Sequence, residues 1–444
     1  MVRTALWIII CLFYPTILMA QDDEDRVLSL RTERREIILY GIDSQVLDVI
    51  ESLKEEADLS LVGDIQALYK TSENAKVKVA VLEYFREIEA PDAFEDALQL
   101  VETYQDHESA IVVAALRYLS FEPPVELKDL LIPLLREENT AILRETLKTL
   151  GEVGDSETAT KLLTYLDDDE FPSEIKPEII LALGDIGSFE AVDRLQEILE
   201  DEREDPMWRR YACASLGKIN DPTALPVIQR VLFDSDAILR SYAVGALRYF
   251  DDPAVESSLV DALRDSFWRV RVSAAQGLGH RKAQGGVPIL VFKAKKDPEM
   301  NVRVAAVKAL GEIGTQDALE ALRELYSAEL SPHVLRVTSL EILVSQDIDA
   351  SIEAFVTVIS RHWENKNAKI LERTAYVMSV TESGKLEQFY SRFLDSGDMT
   401  LIIYGIRGVE RNRLKTLQDK IESFSREGNH RSIRRAALSA LETM

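Results

Sequence analysis

The chain has 444 residues, with 77 Asp and Glu against 52 Lys and Arg, a formal net charge of −25 and only 2 cysteines. That balance speaks against nucleic acid as the main partner, because such binding depends on many phosphate-neutralising cations. Cys11 lies inside an apolar N-terminal run, so once that run is removed Cys213 stands alone and no intramolecular disulfide can form.

Residues 1–20 read as a secretory signal peptide. Arg3 gives a positive start, Ala5 to Met19 is an almost unbroken apolar run, and the acidic Gln21-Asp22-Asp23-Glu24-Asp25 follows. The run is shorter than the ~20 residues needed to span a bilayer. Ala20 suits the position before a cleavage point, but Leu18 is larger than usual two residues earlier, and a retained membrane anchor is the alternative. The chain has no Asn-x-Ser/Thr acceptor, which favours a bacterial periplasmic or cell-envelope setting over a eukaryotic secretory one. Residues 21–72 are expected to be an acidic N-terminus followed by a helical cap, a divergent first repeat with a more polar outer face.

From residue 73 to 444 a helical phrase recurs about every 32 residues, as in Val304-Ala305-Ala306-Val307-Lys308-Ala309-Leu310-Gly311. Self-similarity at that period indicates stacked helix pairs. With its closing apolar residue as the anchor, the copies fall at Phe85, Leu119, Leu150, Leu183, Leu216, Leu247, Leu278, Leu310, Leu343, Val380, Val409 and Leu441. Three before each anchor the residue is apolar, four before it is usually small, and seven before it is often basic, as in Arg209, Arg240, Arg271, Arg303, Arg336 and Arg373. Offsets of three, four and seven share one face of a helix, and a small residue there lets a neighbouring helix come close. We call this element the Arg helix.

After the anchor stands Gly151, Gly184, Gly217, Gly279 or Gly311, which suits a helix end where φ turns positive. Asp155, Ser188, Asp221, Asp252 and Thr315 occupy expected N-cap positions, with Pro222 and Pro253 next in line. A second amphipathic helix follows in each unit, and no run alternates like a strand. The expected architecture is all-α, an α-solenoid in which helix pairs stack into a superhelix. At about 8–10 Å per stacked helix it would form a curved rod on the order of 100 Å long.

The string Asp297-Pro298-Glu299-Met300-Asn301-Val302-Arg303-Val304-Ala305-Ala306-Val307-Lys308-Ala309-Leu310-Gly311-Glu312-Ile313-Gly314 resembles a HEAT repeat of the kind also found in phycobilisome-lyase-like proteins. The resemblance covers roughly residues 73 to 444, is strongest from Asn139 to Gln346, and implies that the Arg helices line a concave face. Such repeats serve many unrelated roles, so it is informative about fold and nearly silent on function.

Charge is unevenly spread. Between Gly151 and Asp205, eighteen acidic residues face four basic ones, whereas between Ser266 and Leu310 Arg269, Arg271, Arg281, Lys282, Lys293, Lys295, Lys296, Arg303 and Lys308 face only Asp297 and Glu299. Acidic residues stand four or six positions before several Arg-helix arginines: Asp205 before Arg209, Asp236 before Arg240, Asp265 before Arg271 and Asp297 before Arg303. Arg209, Arg240, Arg271, Arg303 and Arg336 are therefore read as a structural ladder, each exposed pair contributing about 0.2–1 kcal/mol.

Trp208 and Trp268, beside Arg209 and Arg269, are candidates for interface anchors. With Arg281, Lys282, Lys293, Lys295 and Lys296 they form the candidate partner-binding set, the basic band selecting an acidic protein. No catalytic residue, metal site or cofactor is expected. His107, His280, His333, His362 and His430 are scattered, and only His107-Glu108 matches the several His-Glu pairs with which the HEAT-like deoxyhypusine hydroxylases hold iron. The acidic stretch Asp167 to Glu170 lacks the alternation and glycine of an EF-hand loop. The expectation is an exported, non-enzymatic scaffold or adaptor; the alternatives are a phycobilin-lyase-like or chromophore-handling protein and a membrane-anchored envelope protein.

Overall fold

A computed structural model describes residues 28–364 and 369–444. The expected signal segment and the acidic Gln21 to Asp25 lie outside the described residues. Within them every regular element is a helix, and none is long and apolar enough to cross a membrane. The chain divides into two compact units, the first ending at Ile198 and the second beginning at Leu199.

In the first unit the Arg helices are Asp43–Glu56, Ala75–Glu87, Ser109–Leu119, Thr140–Val153 and Lys176–Ile186, and each packs on the next. In the second they are Pro206–Ile219, Ala237–Leu247, Trp268–His280, Met300–Ile313, His333–Gln346, Lys369–Ser379, Met399–Arg411 and Arg431–Thr443, again packed in succession. A companion helix precedes each of them, from residues 28–40 in the first unit to Gln418–Ser425 in the second. Capping fixes where the helices begin. Asp155 accepts from the Thr158 amide at 3.0 Å, Asp221 from Thr223 at 2.7 Å, Asp252 from Ala254 at 2.7 Å and Thr315 from Ala318 at 3.4 Å. Ser188 makes no such cap; its hydroxyl donates to Glu190 instead.

The anchors form the core. Phe85, Leu119, Leu150, Leu183, Leu216, Leu247, Leu278, Leu310, Leu343 and Val409 are each 0% exposed. Burying one such side chain stabilises the fold by about 1.5–3 kcal/mol relative to leaving it in water. The segment 21–72, read from sequence as a cap and divergent first repeat, carries an anchor that reading did not mark: in helix Asp43–Glu56, Val49, Ile50 and Leu53 are buried at the same four, three and zero offsets. Its neighbouring residues are polar enough to mask the phrase.

Two registers differ from the sequence reading. In helix Arg431–Thr443 the buried residues are Ile433, Ala437 and Ala440, so Ala440 and not Leu441 is the anchor, and Leu438 is 48% exposed. Val380 is 45% exposed and lies beyond helix Lys369–Ser379, whose buried residues Ile370, Leu371, Thr374, Ala375 and Met378 make Met378 the anchor. The seven-before position is then Leu371, and Arg373 points outward to pair with Glu341 at 2.6 Å. Two apolar residues close together, Met378 and Val380, fitted the pattern about equally well, and only burial separates them.

The glycines after the anchors also differ from expectation. Positive φ occurs three residues further on, at Gly187, Asn220, Lys282 and Gly314, because each helix continues for most of another turn. Gly217, Gly279 and Gly311 instead lie inside helices, where the next Arg helix comes close. A Cβ on Gly217 would fall 2.7 Å from the Ala246 Cβ, one on Gly279 2.8 Å from the Ala309 Cα, and one on Gly311 2.8 Å from Ile342. These contacts set the spacing of the stack.

Gly217→Val should therefore lower the urea midpoint by an amount equivalent to about 1–3 kcal/mol. Gly245→Ala, at a helical site with nothing within 4 Å, should raise it by about 0.5–1 kcal/mol. Equal effects at the two sites would contradict the packing described. Cys213 is 0% exposed and burial pushes its thiol up to about 12. In a chain lacking its first 20 residues, thiol reagents should label nothing in the native state and one equivalent after unfolding.

Candidate functional site

The ladder belongs to the second unit. In the first, the seven-before positions are Lys78, Val112, Leu143 and Lys176, so no run of arginines exists there. At Arg209, Arg240 and Arg271 the guanidinium reaches the loop that opens the following Arg helix. Arg209 Nη2 lies 2.7 Å from Asp234, and its Nε donates to the Leu199 carbonyl at 3.0 Å. Arg240 binds Asp265 through both Nε and Nη2, at 2.7 and 2.8 Å, while Nη1 donates to the Asp234 carbonyl at 2.9 Å. Arg271 repeats the arrangement on Asp297 at 2.9 and 2.7 Å, with Nη1 on the Asp265 carbonyl at 2.9 Å.

Each rung carboxylate also orders its own loop. Asp234 accepts from the Asp236 amide at 2.8 Å, Asp265 from Phe267 at 2.7 Å and Asp297 from Glu299 at 3.1 Å. Burial by itself would raise the Asp265 and Asp297 carboxyls. The guanidinium and amide hydrogen bonds outweigh it, assisted at Asp297 by Lys293, and hold both below the ordinary carboxylate value. A parallel pair, Arg210 with Asp236 at 2.9 Å, was not legible in advance because Arg210 is one residue off the repeating position.

The pairing is more buried than exposed surface pairs would be. The side chains of Arg271 and Asp297 are 7% and 0% exposed, so the surface value expected from sequence does not apply. Removing one partner of a buried pair leaves an uncompensated charge, at a cost of about 3–5 kcal/mol. At Arg303 and Arg336 the expected ladder changes. Arg303 retains a bond from Nε to the Ala294 carbonyl at 3.0 Å and Arg336 one to the Tyr326 carbonyl at 2.8 Å, but neither meets a carboxylate among the described residues. Arg336 is 6% exposed, and burial lowers its guanidinium below the ordinary value.

The basic band is sorted by its contacts. Lys293 sits 3.1 Å from Asp297 and Lys295 2.6 Å from Glu324, while Arg281 donates to the Phe250 carbonyl at 2.5 Å. Arg269, Lys282 and Lys296 are exposed and make no ion pair among the described residues. The Arg269 guanidinium lies over the Trp268 ring, 5.3 Å from its centroid, in a cation–π arrangement. Trp268 and Trp208 are both half-buried. A groove of about 370 Å³ crosses the Arg-helix face between Arg248, Gln276, His280 and Glu312. His107 Nε2 lies 3.2 Å from Thr103 Oγ1, and among the described residues no three His, Cys, Asp or Glu side chains converge to hold a metal.

Arg271→Ala should destabilise the chain by roughly 3–5 kcal/mol and Arg303→Ala by less than about 1 kcal/mol, read from urea unfolding. The depressed Asp265 and Asp297 contribute stability that is present above the unfolded carboxylate value of about 3.9 and lost as pH falls through their folded values. The melting temperature should thus hold from neutral pH to about pH 5 and fall below about pH 4. Asp297→Asn should flatten that acid limb, and an unaltered limb would show that the rung carboxylates do not govern it.

Known proteins share this architecture. The family model described as spirochaete HEAT repeat protein matches residues 38–440. Protein YibA of Escherichia coli strain K12 is 28% identical over 116 residues, which make up 26% of this chain. The alignment spans 40% of YibA, well under half of that relative. Among solved structures, yeast importin-beta, Kap95p, superposes with a TM-score of 0.54 at 14% identity, covering 92% of this chain and 66% of that one. That likeness is one of fold alone. The CpcE and CpcF complex of phycocyanin lyase from Nostoc sp. PCC7120 aligns at 21% identity with a TM-score of 0.33, over 52% of this chain and 94% of that one.

Proposed function

The chain belongs to the spirochaete HEAT repeat protein family, and on that premise we propose that it is an exported, non-enzymatic scaffold or adaptor that binds acidic protein partners through its basic band. The α-solenoid fold suits such a role, since stacked repeats offer an extended surface for many modest contacts. One observation carries the charge preference: in a chain of net charge −25, Arg269, Lys282 and Lys296 stand exposed without a carboxylate of their own. Exposed cations against an acidic background steer acidic partners and reject basic ones less effectively bound there. Trp268, with Arg269 over its ring, supplies the aromatic and arginine pairing common at interface anchors.

The test uses the chain without residues 1–20 and poly-L-glutamate, read by fluorescence anisotropy. Binding should weaken as salt rises, because exposed charges are screened beyond about 8–10 Å at physiological ionic strength. Arg269→Glu, Lys282→Glu and Lys296→Glu together should reduce affinity by about tenfold or more while the far-UV helix signal stays intact. Lys293 is left unchanged, since a carboxylate in its place would face the buried Asp297. Equal affinity of the reversed chain across the salt series would sink the reading.

Export to the periplasm or cell envelope rests on the N-terminal sequence. The protein recovered from an envelope fraction should begin at Gln21. A chain still beginning at Met1 would move the reading to a membrane-anchored envelope protein.

A further inference from the structure

Three consecutive rungs of the second unit obey one rule. The carboxylate that receives an arginine stands six residues before the next Arg-helix basic residue: Asp234 before Arg240, Asp265 before Arg271, Asp297 before Arg303. By the same count the carboxylate for Arg303 would stand six before Arg336, at position 330. Residue 330 is leucine, and it is 99% exposed.

Arg303 nevertheless keeps the inner half of the ladder geometry. Its Nε donates to the Ala294 carbonyl at 3.0 Å, as Arg209 does to Leu199 at 3.0 Å and Arg336 does to Tyr326 at 2.8 Å. The guanidinium is therefore held in place, and its two Nη groups make no bond among the described residues. Neither neighbouring acid supplies one: Glu324 is held by Lys295 at 2.6 Å, and Glu329 by Arg361 at 3.4 Å. A cavity of about 310 Å³ opens at this point, lined by Arg303, Lys295, Lys296 and Glu324, with Leu330 on its rim. Arg303 is half-buried, Lys296 is exposed, and the only acid in the lining is already paired.

We propose that this rung is completed from outside, by the carboxylate of an aspartate or glutamate on an acidic segment of a partner protein. The carboxylate enters the cavity and takes the two open Nη groups of Arg303, whose Nε stays on Ala294, as Asp234 takes Nη2 of Arg209 while its Nε stays on Leu199, with the Lys296 ammonium adding to the charge balance. An apolar neighbour on the same segment packs against Leu330, which has nothing else to cover it. A planar guanidinium already anchored on one edge presents the fork that a carboxylate matches in two bonds, so the rung selects for carboxylate rather than for negative charge in general. Pre-anchoring also reduces the side-chain entropy lost on binding. This inference rests on the acidic-partner reading above and names the pocket within it.

The test again uses the chain without residues 1–20, with a fluorescein-labelled, amidated nonapeptide alternating Glu and Leu as probe. Leu330→Asp supplies the rung carboxylate in cis. It should raise the melting temperature by about 1–3 °C and weaken peptide binding by about tenfold or more. Arg303→Ala should weaken binding to a similar extent with a melting temperature within about 1 °C of the parent, and Arg303→Lys, which keeps the charge but not the fork, should fall between. Leu330→Ala should cost a smaller, about two- to fivefold, loss from the missing apolar contact. Free glutamate at millimolar concentration should displace the peptide no better than chloride. Displacement by glutamate beyond that by chloride at the same concentration would make a small carboxylate, and not a peptide, the occupant and overturn the proposal.

Peptide affinity unmoved by both Leu330→Asp and Arg303→Ala would overturn it as well. If Arg269→Glu with Lys282→Glu, which lie outside the cavity, still abolished binding in that case, the broader acidic-partner reading would stand while the rung pocket fell. Absence of peptide binding to the parent chain at low salt would also overturn the pocket, whatever poly-L-glutamate does.

Discussion

Everything in this fold depends on how closely one Arg helix can approach the next. A single helix pair cannot bury both of its apolar faces, so each copy becomes stable only against its neighbours. Glycine and alanine at the crossing points set the distance: Gly217 against Ala246 and Gly279 against Ala309 leave no room for a Cβ. At that separation the residues three and four before each anchor interlock, and the anchors themselves are removed from water. Two backbones this close also bring the loop of each repeat within reach of the arginine before it. The ladder is thus a consequence of the spacing, not an independent fastening.

The ladder in turn decides which charges are available at the surface. Within the stretch from Ser266 to Leu310 the sequence offers nine cations against two carboxylates, a strong field on an otherwise acidic chain. Asp297 alone engages two of those cations, Arg271 and Lys293. Lys295 is engaged by Glu324 from the next companion helix, and Arg281 by backbone carbonyls. What remains exposed is a smaller set, Arg269, Lys282, Lys296 and Lys308, with the half-satisfied Arg303 beside Lys296. Electrostatic steering depends on such residual charge, since paired and buried groups contribute little field at a distance.

The same physics makes the interrupted rung distinctive. Asp234, Asp265 and Asp297 each serve two masters, accepting from an arginine of the preceding repeat and from an amide of their own loop. Replacing that residue with Leu330 removes a carboxylate without removing the carbonyl that orients Arg303. The result is a guanidinium fixed by the fold and turned toward solvent, beside an apolar side chain that the fold leaves uncovered.

The sequence by itself determined the fold class, the period and most of the core, because helix packing writes its three-and-four spacing directly into the order of residues. Ten of the twelve anchors it marked are fully buried, and Cys213 lies in the core as its offset from Leu216 requires. It placed a divergent repeat within residues 21–72 without marking Leu53 as its anchor, because polar neighbours hide the phrase, and it marked Val380 and Leu441 where burial falls on Met378 and Ala440. It read the glycines after the anchors as chain-reversal points, whereas the tertiary structure uses them as contact points, since a glycine is equally suited to a positive φ and to a backbone crossing. Which arginine finds which carboxylate was likewise beyond the sequence. Those partners lie 25 or 26 residues apart, brought together only by the distance at which one helix stacks upon the next.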